Sequence, residues 1–168
     1  MDKITLAGLR FQLVKGGSVF IGEDRGGWIY SGQRPKHEVR CPDFYIMAAP
    51  ITLRELSKIL EAELSPEDET TWNNERLNAI LTIINQSLVK SNLKLDSALD
   101  WEIRCPTQSE WLHARNTKKI EVECGMKEVL ADAVAPNYRG AMMDGRPRQF
   151  EGHGPCLLYT SDAADEHG

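Results

Sequence analysis

Ile103-Arg-Cys-Pro-Thr-Gln-Ser-Glu-Trp-Leu-His-Ala-Arg115 is the stretch whose reading decides the fold. Pro106 has no N–H, and its ring confines Cys105 to extended conformations, so a strand arriving through Trp101-Glu-Ile-Arg104 must stop there. Thr107-Gln-Ser-Glu110 has the spacing of a capping box, in which the hydroxyl accepts from the Glu110 N–H and the carboxylate reaches back to the Thr107 N–H. A helix therefore starts at once, with Trp111 and Ala114 on its inner side. Strand, corner and helix follow one another without slack, and the indole belongs to the interior.

Upstream, Phe11-Gln-Leu-Val14 reads as a short strand, Lys15-Gly-Gly17 as a turn, and Ser18-Val-Phe-Ile21 as a second strand. Residues 22–32 are polar and Gly-rich and mark a loop. His37-Glu-Val-Arg40 and Phe44-Tyr-Ile-Met47 predict two further strand pieces, parted by Cys41-Pro-Asp43 because Pro42 cannot donate to a ladder. Thr52-Leu-Arg-Glu55 is another capping box. Leu53, Leu56, Ile59 and Leu60 continue it as one apolar face until Ser65-Pro66. A second helix begins near Asn73, with Leu77, Ile80, Leu81 and Ile84 on one side, and the segment from Val89 to Asp96 reads as a loop. Beyond Asn116 the periodicity fades, and repeated Gly and Pro predict irregular chain.

The totals narrow the classes. A 168-residue chain with ordinary apolar content can bury one core of normal size. A formal net charge of −5 disfavours a nucleic-acid partner. No apolar run approaches the roughly 20 residues that cross a bilayer, so no membrane partner is expected, and the charged N-terminal stretch lacks a signal-peptide layout. Cys41, Cys105, Cys124 and Cys156 have no CxxC spacing. They read as free thiols, mostly buried, in a reducing cytoplasm. His37, His113, His153 and His167 show no metal-ligand spacing. Gly16-Gly17 and Gly26-Gly27 are not phosphate loops, since no Gly-Lys-Ser/Thr follows either. Arg139, Arg146 and Arg148 form a basic cluster that reads as a solvated face before it reads as an anion site.

The C-terminal stretch stands apart. Cys156-Leu-Leu-Tyr-Thr-Ser-Asp-Ala-Ala-Asp-Glu166 resembles a sequencing-library adapter translated in frame. Residues 156–168 are therefore expected to be non-native, and residues 1–155 the N-terminal portion of a domain that is incomplete at its C-terminus.

Several segments, taken together, resemble one family. Arg104-Cys-Pro-Thr-Gln-Ser-Glu-Trp111 is similar to the R-L-P-T-E-x-E-W signature of the formylglycine-generating enzyme, or sulfatase-modifying factor, family. Leu13 to Gly22 resembles that family's I-P-G-G-x-F-x-M-G opening, and Arg34-Pro-Lys-His-Glu-Val39 its E-x-P-x-H-x-V. Phe44-Tyr-Ile46 and Pro50-Ile-Thr52 are similar to its F-x-I and E-V-T entry into the first helix. Thr71-Trp72 resembles its V-S-W segment, and Ala135-Pro-Asn-Tyr-Arg-Gly140 its A-N-x-x-G. The likeness runs in family order over residues 11–155. Departures lie around the decisive corner: Cys105 stands for a leucine, Gln108 for an acid, Arg115 arrives one residue early, and no Y-P-W-G follows.

The resemblance implies a C-type-lectin-like α+β domain, with short antiparallel strands, two to three helices and long irregular loops. It implies that the intact protein oxidises a cysteine of a client sulfatase to formylglycine, using oxygen and a copper ion on two cysteines, soft ligands for a soft ion. The family's cysteine pair lies beyond the segment that Glu151-Gly-His-Gly-Pro155 introduces, so this chain is expected to carry no catalytic residues of its own. The resemblance also implies a possible Ca²⁺ site on Asn137, Tyr138 and Asp144, oxygen donors suited to a hard cation. The competing reading of those residues is an ordinary Asx turn. Two other functions stay open for the intact protein: a non-catalytic lectin-like ligand-binding module, and an iron-dependent relative that forms C–S bonds. In the absence of later strands, the second-helix face and Trp111 are expected to lack partners.

Overall fold

The computed structural model describes residues 2–25, 34–65, 74–90, 101–122, 127–149 and 155–159. It is an α+β chain that divides into two compact units. The first comprises Met1–Gln12 with Met47–Arg104, the second Leu13–Ile46 with Cys105–Gly168.

The first unit opens on a hairpin. Strands β1 (Lys3–Leu6) and β2 (Leu9–Val14, which runs on into the second unit) pair antiparallel, from Lys3 opposite Gln12 to Leu6 opposite Leu9. The link is the two-residue turn Ala7-Gly8, with φ of 50° and 79°. Positive φ at both turn positions matches the right-handed twist of the strands, and glycine takes it without strain. Helix α1 (Leu53–Leu60) starts as its sequence demands. Thr52 Oγ1 accepts from the Glu55 N–H at 3.2 Å and Glu55 Oε2 accepts from the Thr52 N–H at 2.9 Å. It ends on Glu61 in a left-handed conformation. Helix α2 (Asn74–Lys90) extends slightly into residues read as a loop. Leu56, Ile80 and Ile84 form a core over which Ala7, Ile59, Leu60, Leu64 and Ile103 close. Burying Leu56, Ile80 and Ile84 contributes about 1.5–3 kcal/mol each before entropy is counted. Ile80 and Ile84, on the face of α2 expected to lack partners, are therefore covered.

Trp101–Arg104 is not a strand, contrary to the sequence reading. Its place in a ladder is taken by one side chain. Asn85 Oδ1 accepts from the Ile103 N–H and Asn85 Nδ2 donates to the Ile103 carbonyl, both at 2.8 Å. A carboxamide carries the same donor and acceptor as a peptide group, so it satisfies an extended residue without a neighbouring strand.

In the second unit, β3 (Gly17–Ile21) and β4 (His37–Cys41) pair antiparallel with Val19 opposite Val39 and Ile21 opposite His37. Strand periodicity sends Val19, Ile21, Val39 and Cys41 inward, whereas Phe20 points out and is 62% exposed. Strand β5 (Phe44–Ile46) follows the break at Pro42. Helix α3 (Gln108–Asn116) packs against β3 and β4, and Phe44, Leu112 and Tyr138 cover the inward side chains. Trp111 is 3% exposed, so it too has the cover it was expected to lack.

The reading of irregular chain beyond Asn116 requires correction, because Lys127–Ala133 forms strand β6. A register shift between Val129 and Ala133 explains why alternation did not reveal it: the buried residues Leu130 and Ala133 are three positions apart, not two. Strand β7 (Pro155–Tyr159) pairs antiparallel with β6, Lys127 facing Tyr159. Cys156 to Tyr159 are among the residues set aside as adapter-like. A backbone ladder accepts an apolar run of any origin. The remainder, 160–168, lies outside the described residues, as do Thr71-Trp72, Gly26-Gly27, Cys124, His153 and His167.

Candidate functional site

The corner at Arg104–Trp111 is built as its residues dictate. Thr107, the helix N-cap, accepts from the Glu110 N–H at 3.2 Å and donates its own N–H to Glu110 Oε2 at 2.8 Å. The Ser109 hydroxyl lies 2.9 Å from the Thr107 hydroxyl. The Pro106 carbonyl, the last before the helix, accepts from the Ala131 N–H of β6 at 2.8 Å. Burial of Thr107, Ser109 and Glu110 leaves no room for unmade bonds, and these contacts satisfy much of the group.

Asp132 of β6 ties this corner to a distant loop. Its Oδ2 accepts from the Gln108 N–H, the first of α3, at 2.7 Å, and its Oδ1 accepts from the Arg148 N–H at 2.8 Å. A carboxylate at a helix N-terminus is favoured both by the free N–H groups and by the helix dipole. Nothing local in the sequence pairs Asp132 with Gln108, 24 residues away, and sequence reasoning missed it.

Around Asp132 a small cleft opens, with His37, Gln108, Tyr138, Arg146 and Arg148 on its walls and about 20 Å³ of free volume. That is room for about one water molecule. The Tyr138 hydroxyl sits 2.9 Å from Gln108 Nε2 and 3.0 Å from Oε1. The His37 imidazole centre and the Arg148 guanidinium carbon each lie 5.2 Å from the centre of the Tyr138 ring. His37 Nδ1 is 3.0 Å from the Pro35 carbonyl, which can only accept, so that nitrogen carries a proton. Arg148 donates to the Asn137 carbonyl at 2.8 Å and to the Ala133 carbonyl at 3.3 Å. Within the cleft Gln108 bonds to both Tyr138 and Asp132, whereas the buried Arg148 Nε has no hydrogen-bond partner among the described residues.

Each oxygen proposed for Ca²⁺ already accepts a hydrogen bond within its own loop. Asn137 Oδ1 accepts from the Arg139 N–H at 2.9 Å, and the Tyr138 carbonyl from the Ala141 N–H at 3.1 Å. Asp144 accepts from the Arg146 N–H at 3.2 Å and pairs with its Nε at 2.7 Å. The Arg146 N–H, first, and then the Arg146 side chain hold the Asp144 carboxyl below its ordinary value. The Asn137 carboxamide and the Asp144 carboxylate therefore each close an Asx turn. Among the described residues no three His, Cys, Asp or Glu gather as a metal site. The basic cluster is divided: Arg139 and Arg146 face solvent, whereas Arg148 turns inward.

The cysteines and His113 have structural settings. Cys41 is buried and Cys105 half-buried. Burial pushes the Cys41 thiol up, opposed by a hydrogen bond with Ser109. A raised thiol is a poor nucleophile and a poor copper ligand at neutral pH. His113 is buried, and its Nε2 lies 2.8 Å from the Lys15 carbonyl. Its ring packs so closely that a Cβ on Gly17 would stand 2.7 Å from Cε1, and one on Gly16 would stand 2.8 Å from the Cys41 carbonyl oxygen. The glycine pair read as a turn is required instead by close approach of the histidine and of backbone.

Among the described residues no helix is long and apolar enough to cross a membrane. No protein-family model and no curated protein matches the chain. One solved structure does, described as "Structure of PvdO from Pseudomonas aeruginosa". The match has a TM-score of 0.58 at 12% identity and covers 95% of this chain and 93% of that one. At that identity the likeness is one of fold, and the chain shares the α+β architecture of PvdO.

Proposed function

We propose that the chain is a C-type-lectin-like scaffold of the formylglycine-generating enzyme type, and that the oxidation of a sulfatase cysteine on copper, if the intact protein performs it, depends on residues other than these. One observation carries the reading: segments resembling separate motifs of that family meet in the second unit. Tyr138, of the Ala135–Gly140 segment, bonds to Gln108 of the Arg104–Trp111 segment, and its N–H donates to the Arg34 carbonyl at 2.8 Å. The Lys15 carbonyl, of the Leu13–Gly22 segment, meets His113, two residues after Trp111. Independent weak matches have no reason to converge in space; parts of one domain do.

The cleft has room for about one water, and Cys41 is a buried, raised thiol. The test is to incubate the chain with Cu(I), oxygen and a sulfatase-derived cysteine peptide, and to follow the peptide by mass spectrometry. No conversion to the aldehyde is expected; turnover by this chain would overturn the reading. Sequencing the source locus across Pro155 then separates the activities. A cysteine pair near an R-G-G-S-W-like segment identifies the oxidase, a histidine cluster the iron-dependent relatives, and neither a ligand-binding module.

A further inference from the structure

We draw no further inference here: the strongest candidate, the cleft walled by His37, Gln108, Tyr138 and Arg148 around Asp132, belongs to the site already described, and its space of about 20 Å³ holds no more than a water molecule.

Discussion

Asp132 and Gly17 show how single residues hold the second unit together. Each Asp132 oxygen serves a different backbone N–H, one opening α3 and one in the Arg148 loop. Asp132→Ala removes both acceptors and should cost about 1–3 kcal/mol in urea unfolding, with Asp132→Asn, which keeps one acceptor, in between. No loss in the alanine variant would show that water replaces the carboxylate. Gly17 is under a different constraint. A methyl group there would enter the His113 ring, so Gly17→Ala should cost about 1–3 kcal/mol by overpacking. In a His113→Ala background the same change should cost much less, and that coupling is measurable as a double-mutant cycle. Neither role is legible in sequence. Asp132 and Gln108 are 24 positions apart, and Lys15 and His113 are 98 apart.

Secondary elements were legible where their determinants are local. Both capping boxes formed as read, because hydroxyl, carboxylate and the N–H groups they satisfy lie within one turn. In α1, the Thr52 N–H, first, and the Thr52 hydroxyl hold the Glu55 carboxyl below its ordinary value of 4.5. A carboxyl with a lower pKa when folded adds stability above its unfolded value and loses it as pH falls through the folded one. Glu55→Gln keeps an acceptor but not the charge. Wild type should exceed it by about 0.5 kcal/mol at neutral pH, after solvent screening, and the difference should close under acid conditions. Thermal melts across pH check this; a gap that persists in acid would refute it. Elements were missed where a distant group decides. Ile103 is satisfied by Asn85 rather than by a strand, and β6 hides behind its register shift.

At the scale of the molecule, two small core clusters stand among the described residues where length suggested a single core. Leu56, Ile80 and Ile84 anchor one unit, and Val19, Ile21, Val39 and Cys41 the other. The α+β class was what the family resemblance implied, whereas the buried corner followed from capping, proline and periodicity, all properties of neighbouring residues. The meeting of His37, Gln108 and Tyr138 did not, since tertiary packing alone joins them. That meeting is the central claim. Nuclear Overhauser spectra of the isotope-labelled chain test it most directly. Cross-peaks from the Tyr138 ring to the His37 imidazole and to the Gln108 carboxamide are expected; a folded, dispersed spectrum in which Tyr138 shows neither would contradict the account.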